Sequence, residues 1–388
     1  MKLWQTILRE VGGWSRKPLL FVATLGLPLF CLLFMATVFG RGEVREIPIG
    51  VIDSEFSHSS RKVIRAINAT SSLRIAKHYT NSTEALADLR AANIFGYIEI
   101  PPLQKGLNTN GFPPTIVYYF HYAYMGIGGV VDSTLREVIL SLQLQSATSQ
   151  VEQAGVEAEK IDVVLSPIEA DILPTFNPTL NYRTYLSPPF FFVLLQIVVL
   201  MLTIYSLGWD IGQGGGEEWL RCAGGKMSIA IMGKLLPYWL VFCAVEVAAL
   251  ALFFNWTSIP FGGSIARLVV YALLLVSASQ GLALLIYSLV PNVGVAMSAA
   301  SMIGSLGATL SGVTFPLGSL YPIFQLCAKL LPIRHFTLLL QSEMEGRASL
   351  AEEWPQVATL LIFSLLPIVL SRRLNQILSS TKSYEKAT

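Results

Sequence analysis

The sequence predicts an α-helical integral membrane protein with six transmembrane helices and an α/β domain inserted between the first and second helices. Of its 388 residues, 53% are hydrophobic and only 13% are charged, whereas soluble proteins average about 25% charged residues. One apolar run lies near the N-terminus, and five more follow between residues 186 and 371. The polar segment between them, about 145 residues, is long enough for one domain with its own core.

The apolar runs have the length that a membrane span requires. A helix needs about 20 apolar residues to cross a hydrocarbon layer about 30 Å thick. Residues 18–39 meet this condition without a charge, and no small-residue cleavage site follows, so we interpret them as a retained anchor and not as a signal peptide. The remaining bundle occupies residues 188–371, with spans predicted at 189–209, 229–254, 268–289, 293–315 and 357–370. The last run is short and contains Pro367, so we extend it back toward Trp354.

The basic residues next to the spans predict the orientation. They lie before the first span, between the second and third, and after the last, whereas loop 255–264 has no charge. These residues are Lys2, Arg9, Arg16, Lys17, Arg221, Lys226, Lys234, Arg372, Arg373, Lys382 and Lys386. Since short cytoplasmic loops carry the excess of Lys and Arg, we expect both termini and loop 210–228 in the cytoplasm, and residues 40–187 outside.

The first 17 residues have the pattern of a cytoplasmic amphipathic helix that lies in the membrane interface. Apolar residues recur at steps of three and four, and basic residues with Glu10 occupy the other face. The apolar set is Leu3, Trp4, Ile7, Leu8, Val11 and Trp14. The alternative is a simple cytoplasmic flank with interfacial tryptophans. At the other end, residues 372–388 are expected to form a cytoplasmic tail.

In the inserted domain, strand-like and helix-like segments alternate. Strands are predicted near 47–53, 72–79, 95–100 and 115–120, and helices near 59–69, 82–92 and 129–154. Such alternation favours a small α/β sheet. Asp53 and Glu55 follow a strand, where catalytic acids do occur, but a turn and helix cap is the favoured interpretation.

The sequence contains no pattern that predicts catalysis or a bound cofactor. No nucleophile–base–acid set is present, and the four cysteines show no metal-ligand spacing. Gly225-Lys226 resembles the end of a phosphate-binding loop, but Leu220 and Met227 replace the required Gly and Ser/Thr. The net charge of +2 gives no reason to expect nucleic-acid binding. We therefore predict no enzyme activity, catalytic residue, metal or cofactor in this chain.

Several short segments, in order along the chain, carry a family resemblance. They are Ile47–Asp53 with Ser59-Ser60-Arg61, Ile98–Pro101, Asn177-Pro178 with Asn181-Tyr182, Gly233-Lys234 with Pro237-Tyr238, Ser311-Gly312 with Phe315-Pro316, and Leu331-Pro332. With the predicted topology, this ordered set resembles the permease subunits of ABC-2-type ABC transporters. The resemblance covers nearly the whole chain.

The resemblance implies an exporter permease in a bacterial inner membrane, paired with a second copy or a related permease. Separate ATPase subunits would use ATP and Mg²⁺, and the cargo would be amphiphilic, lipid-like or drug-like. A periplasmic adaptor and membrane lipid are further expected partners. The implied ATPase-coupling segment is 211–228, where a glycine-rich run replaces the family's usual charged pattern. The residues implied in coupling are Glu217, Glu218, Arg221, Lys226, Gly233 and Lys234.

Polar residues inside the spans suggest a substrate route. Glu246 is a mid-span carboxylate, and Gln196 and Gln280 are amides in the second and fourth spans. Ionisable residues within spans are costly and usually functional, although Glu246 could also be purely structural, protonated or hydrogen-bonded between helices. The small-residue run 298–311 predicts a packing seam or gate. Tyr182, Tyr185 and residues 190–192 predict an aromatic belt at the outer interface.

Two other functions remain open from the sequence. One is a non-transporting surface receptor or scaffold whose external domain binds another protein. The other is a membrane enzyme at the outer face, which is disfavoured because no catalytic set converges.

Overall fold

The computed structural model describes residues 2–14, 18–40, 42, 45–101, 116–121, 124–153, 181–212, 215–257, 259–346 and 349–385. The chain folds into two compact units. We call Met1–Arg41 with Tyr182–Thr388 the membrane unit, and Gly42–Asn181 the inserted unit. Residues 182–187 therefore belong to the membrane unit, which corrects the predicted boundary of 40–187, because a long helix already begins at Tyr182.

The chain begins with two helices and then enters the inserted unit. Helix α1 is Lys2–Gly13 and α2 is Pro18–Val38. The inserted unit contains β1 (Ile47–Asp53), α3 (His58–Asn68), β2 (Leu73–Tyr79), α4 (Ser82–Arg90), β3 (Gly96–Ile100), β4 (Val117–Phe120) and α5 (Met125–Gln153).

The rest of the membrane unit is helical. It contains α6 (Tyr182–Gly212), α7 (Gly216–Cys222), α8 (Met227–Ala251, continued by the π-helical Leu252–Trp256), α9 (Ile265–Leu289), α10 (Val293–Leu310), α11 (Pro322–Lys329), α12 (Pro332–Glu345), α13 (Leu350–Val369) and α14 (Ser371–Glu385). Within the described ranges, six helices are long and apolar enough to cross a membrane, or seven if the bent pair α11–α12 counts as one span. A multi-pass helical membrane protein is thus confirmed.

The inserted unit is built on a mixed four-stranded sheet in the order β2-β1-β3-β4. Strand β1 pairs parallel with β2 and β3, and β4 pairs antiparallel with β3. Apolar residues of α3 and α5 cover one face, and those of α4 cover the other. Asp53 accepts hydrogen bonds from the backbone N–H groups of Glu55 and Phe56 and from the Ser60 hydroxyl. The turn interpretation of Asp53 is therefore confirmed, whereas the side chain that caps the Ser60 N–H at the start of α3 is that of Ser57.

Helix α6 lies at the centre of the membrane unit, packed against α2, α9, α10 and α12. Two of its aromatic residues are consequently inside the protein: Phe191 and Phe192 are fully buried and contact the rings of Phe253 and Phe336. The predicted aromatic belt is wrong for these two residues. The small-residue face of α10 packs on α6, where a Cβ on Gly304 would lie 2.5 Å from Ile197.

The two ends of α6 define two ends of the bundle. Asp210 of α6 lies beside α1 and α8, and we call this the α7 end. Ser187 contacts the end of α2, and we call that side the α12 end. Residues 372–385 of the predicted tail belong to helix α14, whose Leu374 and Leu378 are buried, and residues 386–388 lie outside the described part of the chain.

Candidate functional site

Helix α1 turns its polar face toward the protein. Thr6 and Glu10 are buried, whereas the side chains of Trp4 and Leu8 are 61% and 52% exposed. Thr6 packs so closely on α8 that a Cβ on Gly233 would lie 2.6 Å from its Cβ. The predicted amphipathic helix is present, with its apolar face pointing away from the bundle.

The polar face of α1 meets a lysine on α8. The Lys234 side chain is fully buried, and its Nζ lies 2.9 Å from Glu10 Oε2 and 2.6 Å from Asp210 Oδ2. The other Glu10 oxygen accepts a 2.6 Å hydrogen bond from the Tyr238 hydroxyl. Lys234 therefore joins α1, α6 and α8 through charge-assisted hydrogen bonds, which are stronger than neutral ones.

Arg9 extends this arrangement toward α7. Its Nη1 lies 3.1 Å from Asp210 Oδ2, and its Nη2 donates to the Gly215 carbonyl at 3.3 Å. Its Nε lies 3.9 Å from Glu218 Oε1, at the exposed edge. We call Arg9, Glu10, Asp210 and Lys234 the charge cluster. Its two cations balance its two buried carboxylates, as burial in a dry interior requires.

Helix α7 is short but firmly held. Trp219 is fully buried, and its indole N–H donates to the Ala230 carbonyl at 3.0 Å. Lys234 Nζ lies 5.6 Å from the centre of the Trp219 ring, within the range of a cation–π interaction. On the opposite side, a Cβ on Gly216 would lie 2.9 Å from Leu378. Helices α1, α8 and α14 thus fix the position of α7.

The solvent side of α7 borders an open cavity of about 410 Å³. Its walls come from α7, the turn after it and α14. They consist of Glu217, Leu220, Arg221, Gly224, Gly225 and Leu378. This cavity and the acidic side chain of Glu218 beside it form the exposed surface of α7.

The comparison with known proteins decides the family. The model of the ABC-2 family transporter protein matches residues 18–373. The chain belongs to this family. It is also 28% identical over 193 residues to the "Probable multidrug ABC transporter permease YbhR" of Escherichia coli strain K12 and of E. coli O157:H7. The match covers 49% of this chain and 51% of each relative, so the chain spans about half their length. The resemblance to ABC-2 permeases is thereby confirmed.

The coupling residues implied by the ABC-2 resemblance fall into two groups. Glu217, Glu218, Arg221 and Lys226 are exposed. Gly233 and Lys234 lie under α1, and Lys234 has no exposed surface, so direct contact with a partner does not fit them. Segment 211–228 is also not a simple loop. It contains the end of α6, all of α7 and the start of α8, while residues 213 and 214 lie outside the described part of the chain.

Of the proposed substrate-route residues of this ABC-2 chain, Gln280 lies nearer the charge cluster than Gln196 and Glu246. Gln280 donates to the Leu235 carbonyl at 3.3 Å, next to Lys234. Gln196 and Glu246 lie deeper in the bundle, about 21 and 18 Å along their helices from the Asp210–Lys234 pair at 1.5 Å per residue. All three are at most 4% exposed. Within the described part of the chain, the polar atoms of Gln196 and Glu246 have no hydrogen-bond partner.

Sequence reasoning missed Arg9, Glu10, Asp210 and Tyr238 as parts of this site. One signal was present: Lys234 lies within an apolar helix, and such a lysine requires a buried counter-charge. Asp210 closes the preceding apolar run and was the nearest candidate in sequence. Glu10 could not be chosen in this way, because its contact depends on how α1 folds back onto α8.

Proposed function

We propose that the chain is the membrane permease of an ATP-driven exporter, and that α7 is the element through which a separate ATPase subunit moves it. One observation carries this proposal. Helix α7 presents Glu217 and Glu218 to solvent, while the indole of Trp219 anchors its other side to α8. A short helix that is exposed on one side and fixed on the other can receive a force and pass it on.

The charge cluster supplies the path into the bundle. Arg9 bonds both the Gly215 carbonyl at the start of α7 and Asp210 at the end of α6. Since Lys234 also bonds Asp210, a displacement of α7 would pull on α6 and α8 together. Rigid packed elements with discrete arrangements transmit such displacements.

The proposed orientation places the α7 end in the cytoplasm of a bacterial cell and the inserted unit outside the inner membrane. Lys2, Arg221, Lys226 and Arg372 are exposed at or near the α7 end, as the positive-inside rule requires of cytoplasmic segments. The exposed apolar face of α1 suits burial in the headgroup region of the membrane.

The further partners and the cargo also belong to this proposal. The outward face of α10 exposes Ser298 and Ser305, whose hydroxyls bond their own helix. Small residues of this kind favour close helix contact, which supports pairing with a second permease. The E. coli relatives are named as probable multidrug transporter permeases, which supports a drug-like cargo, and we propose that it is amphiphilic. A periplasmic adaptor would contact the inserted unit. Gln196 and Glu246 would meet cargo once the helices separate.

The experiment that tests the proposal reverses the charges on α7. The double variant Glu217→Arg/Glu218→Arg, reconstituted with its ATPase, should stimulate ATP hydrolysis about tenfold less than the wild type. The two new arginines would face the basic groups of the ATPase that the two glutamates are proposed to contact, and like-charge contacts cost several kcal/mol at interfaces. Glu345→Arg, an exposed acid at the α12 end, is the matched control and should retain stimulation. Full stimulation by the double variant would contradict the role of α7.

A further inference from the structure

Helix α12 bridges two parts of the bundle. It packs against α6, α9, α10 and α13. Its inward face is almost completely buried, with Phe336, Thr337 and Leu340 at 0% exposure. A helix so enclosed moves only if the helices around it move too.

The first two turns of α12 are anchored to the end of α10. Arg334 Nη1 and the Thr337 hydroxyl both donate to the Ser311 carbonyl, at 2.6 and 3.0 Å. Ser311 is the C-cap of α10, where a cation also complements the helix dipole. The next residue, Gly312, has φ +85°, and a Cβ there would overlap the guanidinium of Arg334. The lack of a side chain at Gly312 therefore leaves the space that the Arg334 guanidinium occupies.

The last turn of α12 is anchored to the starts of α9 and α13. Glu343 Oε2 accepts from the Ser264 N–H at 2.7 Å and from Arg267 Nη2 at 3.1 Å. Arg267 also lies 3.4 Å from Glu353 of α13. Glu353 in turn accepts from the hydroxyls of Tyr271 and Ser342, at 2.7 and 2.6 Å. This second anchor joins three helix ends.

Between the two anchors, α12 touches the central helix. The rings of Phe336 and Phe192 lie 4.5 Å apart. Helix α6 runs without a break from Phe192 to Asp210 in the charge cluster, about 27 Å at 1.5 Å per residue. A continuous helix thus connects the charge cluster with α12 at the other end of the bundle.

We propose that α12 is a strut whose position responds to the charge cluster through α6, with Arg334 and Glu343 as its end anchors. A shift of α6 at Asp210 moves α12 through Phe192 and Phe336. The two anchors then carry this movement to α10 and to α9 with α13. The use of this movement in transport rests on the proposed function, but the mechanical connection does not.

A native cysteine reports on the strut without any ATPase or substrate. Cys327 is exposed on α11, whereas Cys31 and Cys243 are buried. In a Cys222→Ser background, the rate at which Cys327 reacts with a maleimide therefore measures how accessible this thiol is. That accessibility depends on the position of the α11–α12 pair. Lipid nanodiscs leave both membrane faces open, so the rate is independent of orientation. Failure of this test is then distinct from failure of the proposed function.

The expected result is a change in the Cys327 reaction rate of about fivefold in Asp210→Asn, the low end of ordinary coupling between sites. Arg9→Gln is the milder second variant, in case the first does not fold, and should change the rate in the same direction. Arg372→Gln, an exposed cation at the start of α14 and outside the coupling set, is the matched control and should have no effect.

The anchors are tested by repeating the measurement with Arg334→Gln/Glu343→Gln added. If α12 is the strut, Asp210→Asn no longer changes the rate in this background. Two results would overturn the inference. One is an unchanged rate in both folded charge-cluster variants. The other is an Asp210→Asn effect that persists in full when the anchors are removed.

Discussion

Lys234 shows how an ionised residue is kept inside an apolar helix. Its ammonium group is buried with two carboxylates within 3 Å. The ring of Trp219 lies 5.6 Å from the same nitrogen. A buried pair adds little net stability compared with apolar residues of the same size, but removal of one partner leaves the other charge uncompensated. The cluster therefore specifies how α1, α6 and α8 fit together more than it raises overall stability.

Replacement of this lysine should be costly. Lys234→Met is expected to lower the free energy of unfolding by about 3 kcal/mol, because Glu10 and Asp210 each lose a buried cation. Thermal unfolding in detergent, followed by tryptophan fluorescence, measures the change. Addition of Glu10→Gln should recover part of the loss, since one uncompensated carboxylate is then removed.

Lys226→Met provides the comparison for this prediction. Lys226 is exposed, and surface substitutions of this kind usually change stability by less than about 0.5 kcal/mol. Equal stability of the Lys234→Met and Lys226→Met variants would show that the charge cluster does not hold the helices together.

At the level of secondary-structure elements, α4 and β2 of the inserted unit are joined by a second set of polar contacts. Asp88 accepts hydrogen bonds from the Asn93 side chain at 3.1 Å, the Tyr79 hydroxyl at 2.8 Å and Lys77 Nζ at 3.0 Å. The bond from Asn93, followed by those from Tyr79 and Lys77, lowers the pKa of Asp88 to about 2. The charged carboxylate is therefore the form that stabilises the fold.

Because the pKa of Asp88 is lowered, acid should weaken the contact between α4 and β2. A carboxyl group with a lowered pKa contributes stability at pH values above its unfolded pKa of about 3.9, and this contribution disappears as the pH falls toward 2. At pH 4, the inserted unit of Asp88→Asn should be cleaved by pepsin faster than that of the wild type. The difference should shrink as the pH approaches 2. Glu137→Gln, which changes an exposed acid on α5, should be cleaved at the wild-type rate throughout this pH range. A difference between Asp88→Asn and the wild type that stays constant from pH 4 to pH 2 would show that the charge of Asp88 does not stabilise the inserted unit.

The elements differ in how far the sequence predicts them. Strand β1 is found at its predicted position, 47–53, because β-branched residues and a turn after Asp53 mark it locally. The cap of α4 is equally local, since Asn81 accepts from the Glu84 N–H. In contrast, the burial of Phe191 and Phe192 depends on α6 being surrounded by other helices. Composition detects an apolar span but not its neighbours.

The candidate site likewise contains residues that the local sequence predicts and residues that it does not. The exposed positions of Glu217 and Glu218 agree with their place in a polar segment between spans. The contact between Glu10 and Lys234 joins residues that are 224 apart in the chain, and no local pattern encodes such a pairing. Long-range polar contacts become visible only when the packing of α1 on α8 is known.

For the whole molecule, the contacts within the membrane unit favour one number of membrane spans over the other. Helix α1 contacts α7 through Arg9 and Gly215, and α14 contacts α7 through Leu378 and Gly216. The first and last described helices thus lie at the same end of the bundle, which requires an even number of spans. We therefore propose that the bent pair α11–α12, with 83° between its helices, is a re-entrant element and not a seventh span. The residue before a proline disfavours helix, and Leu331 before Pro332 marks this bend.

An even number of spans leads to a two-sided labelling prediction. Helices α2 and α6 are joined by the inserted unit, and their near ends meet at the α12 end, where Arg183 contacts the Phe39 carbonyl. With the α7 end in the cytoplasm, a membrane-impermeant maleimide added to intact cells should label Cys327 and an introduced Ser54→Cys. It should label Cys222 only after permeabilisation. Ser54 is chosen because it is exposed in the turn after β1.

The same set of cysteines also tests the alternative orientation. Cys243 is buried and should remain unlabelled in intact and permeabilised cells, which controls for unfolding during the reaction. Labelling of Cys222 but not Ser54→Cys from outside would place the charge cluster and α7 on the external face, out of reach of any ATP-using partner. Labelling of Ser54→Cys but not of an introduced Glu345→Cys, at the exposed end of α12, would instead mean that α11–α12 crosses the membrane. That result would contradict the shared position of α1 and α14 beside α7.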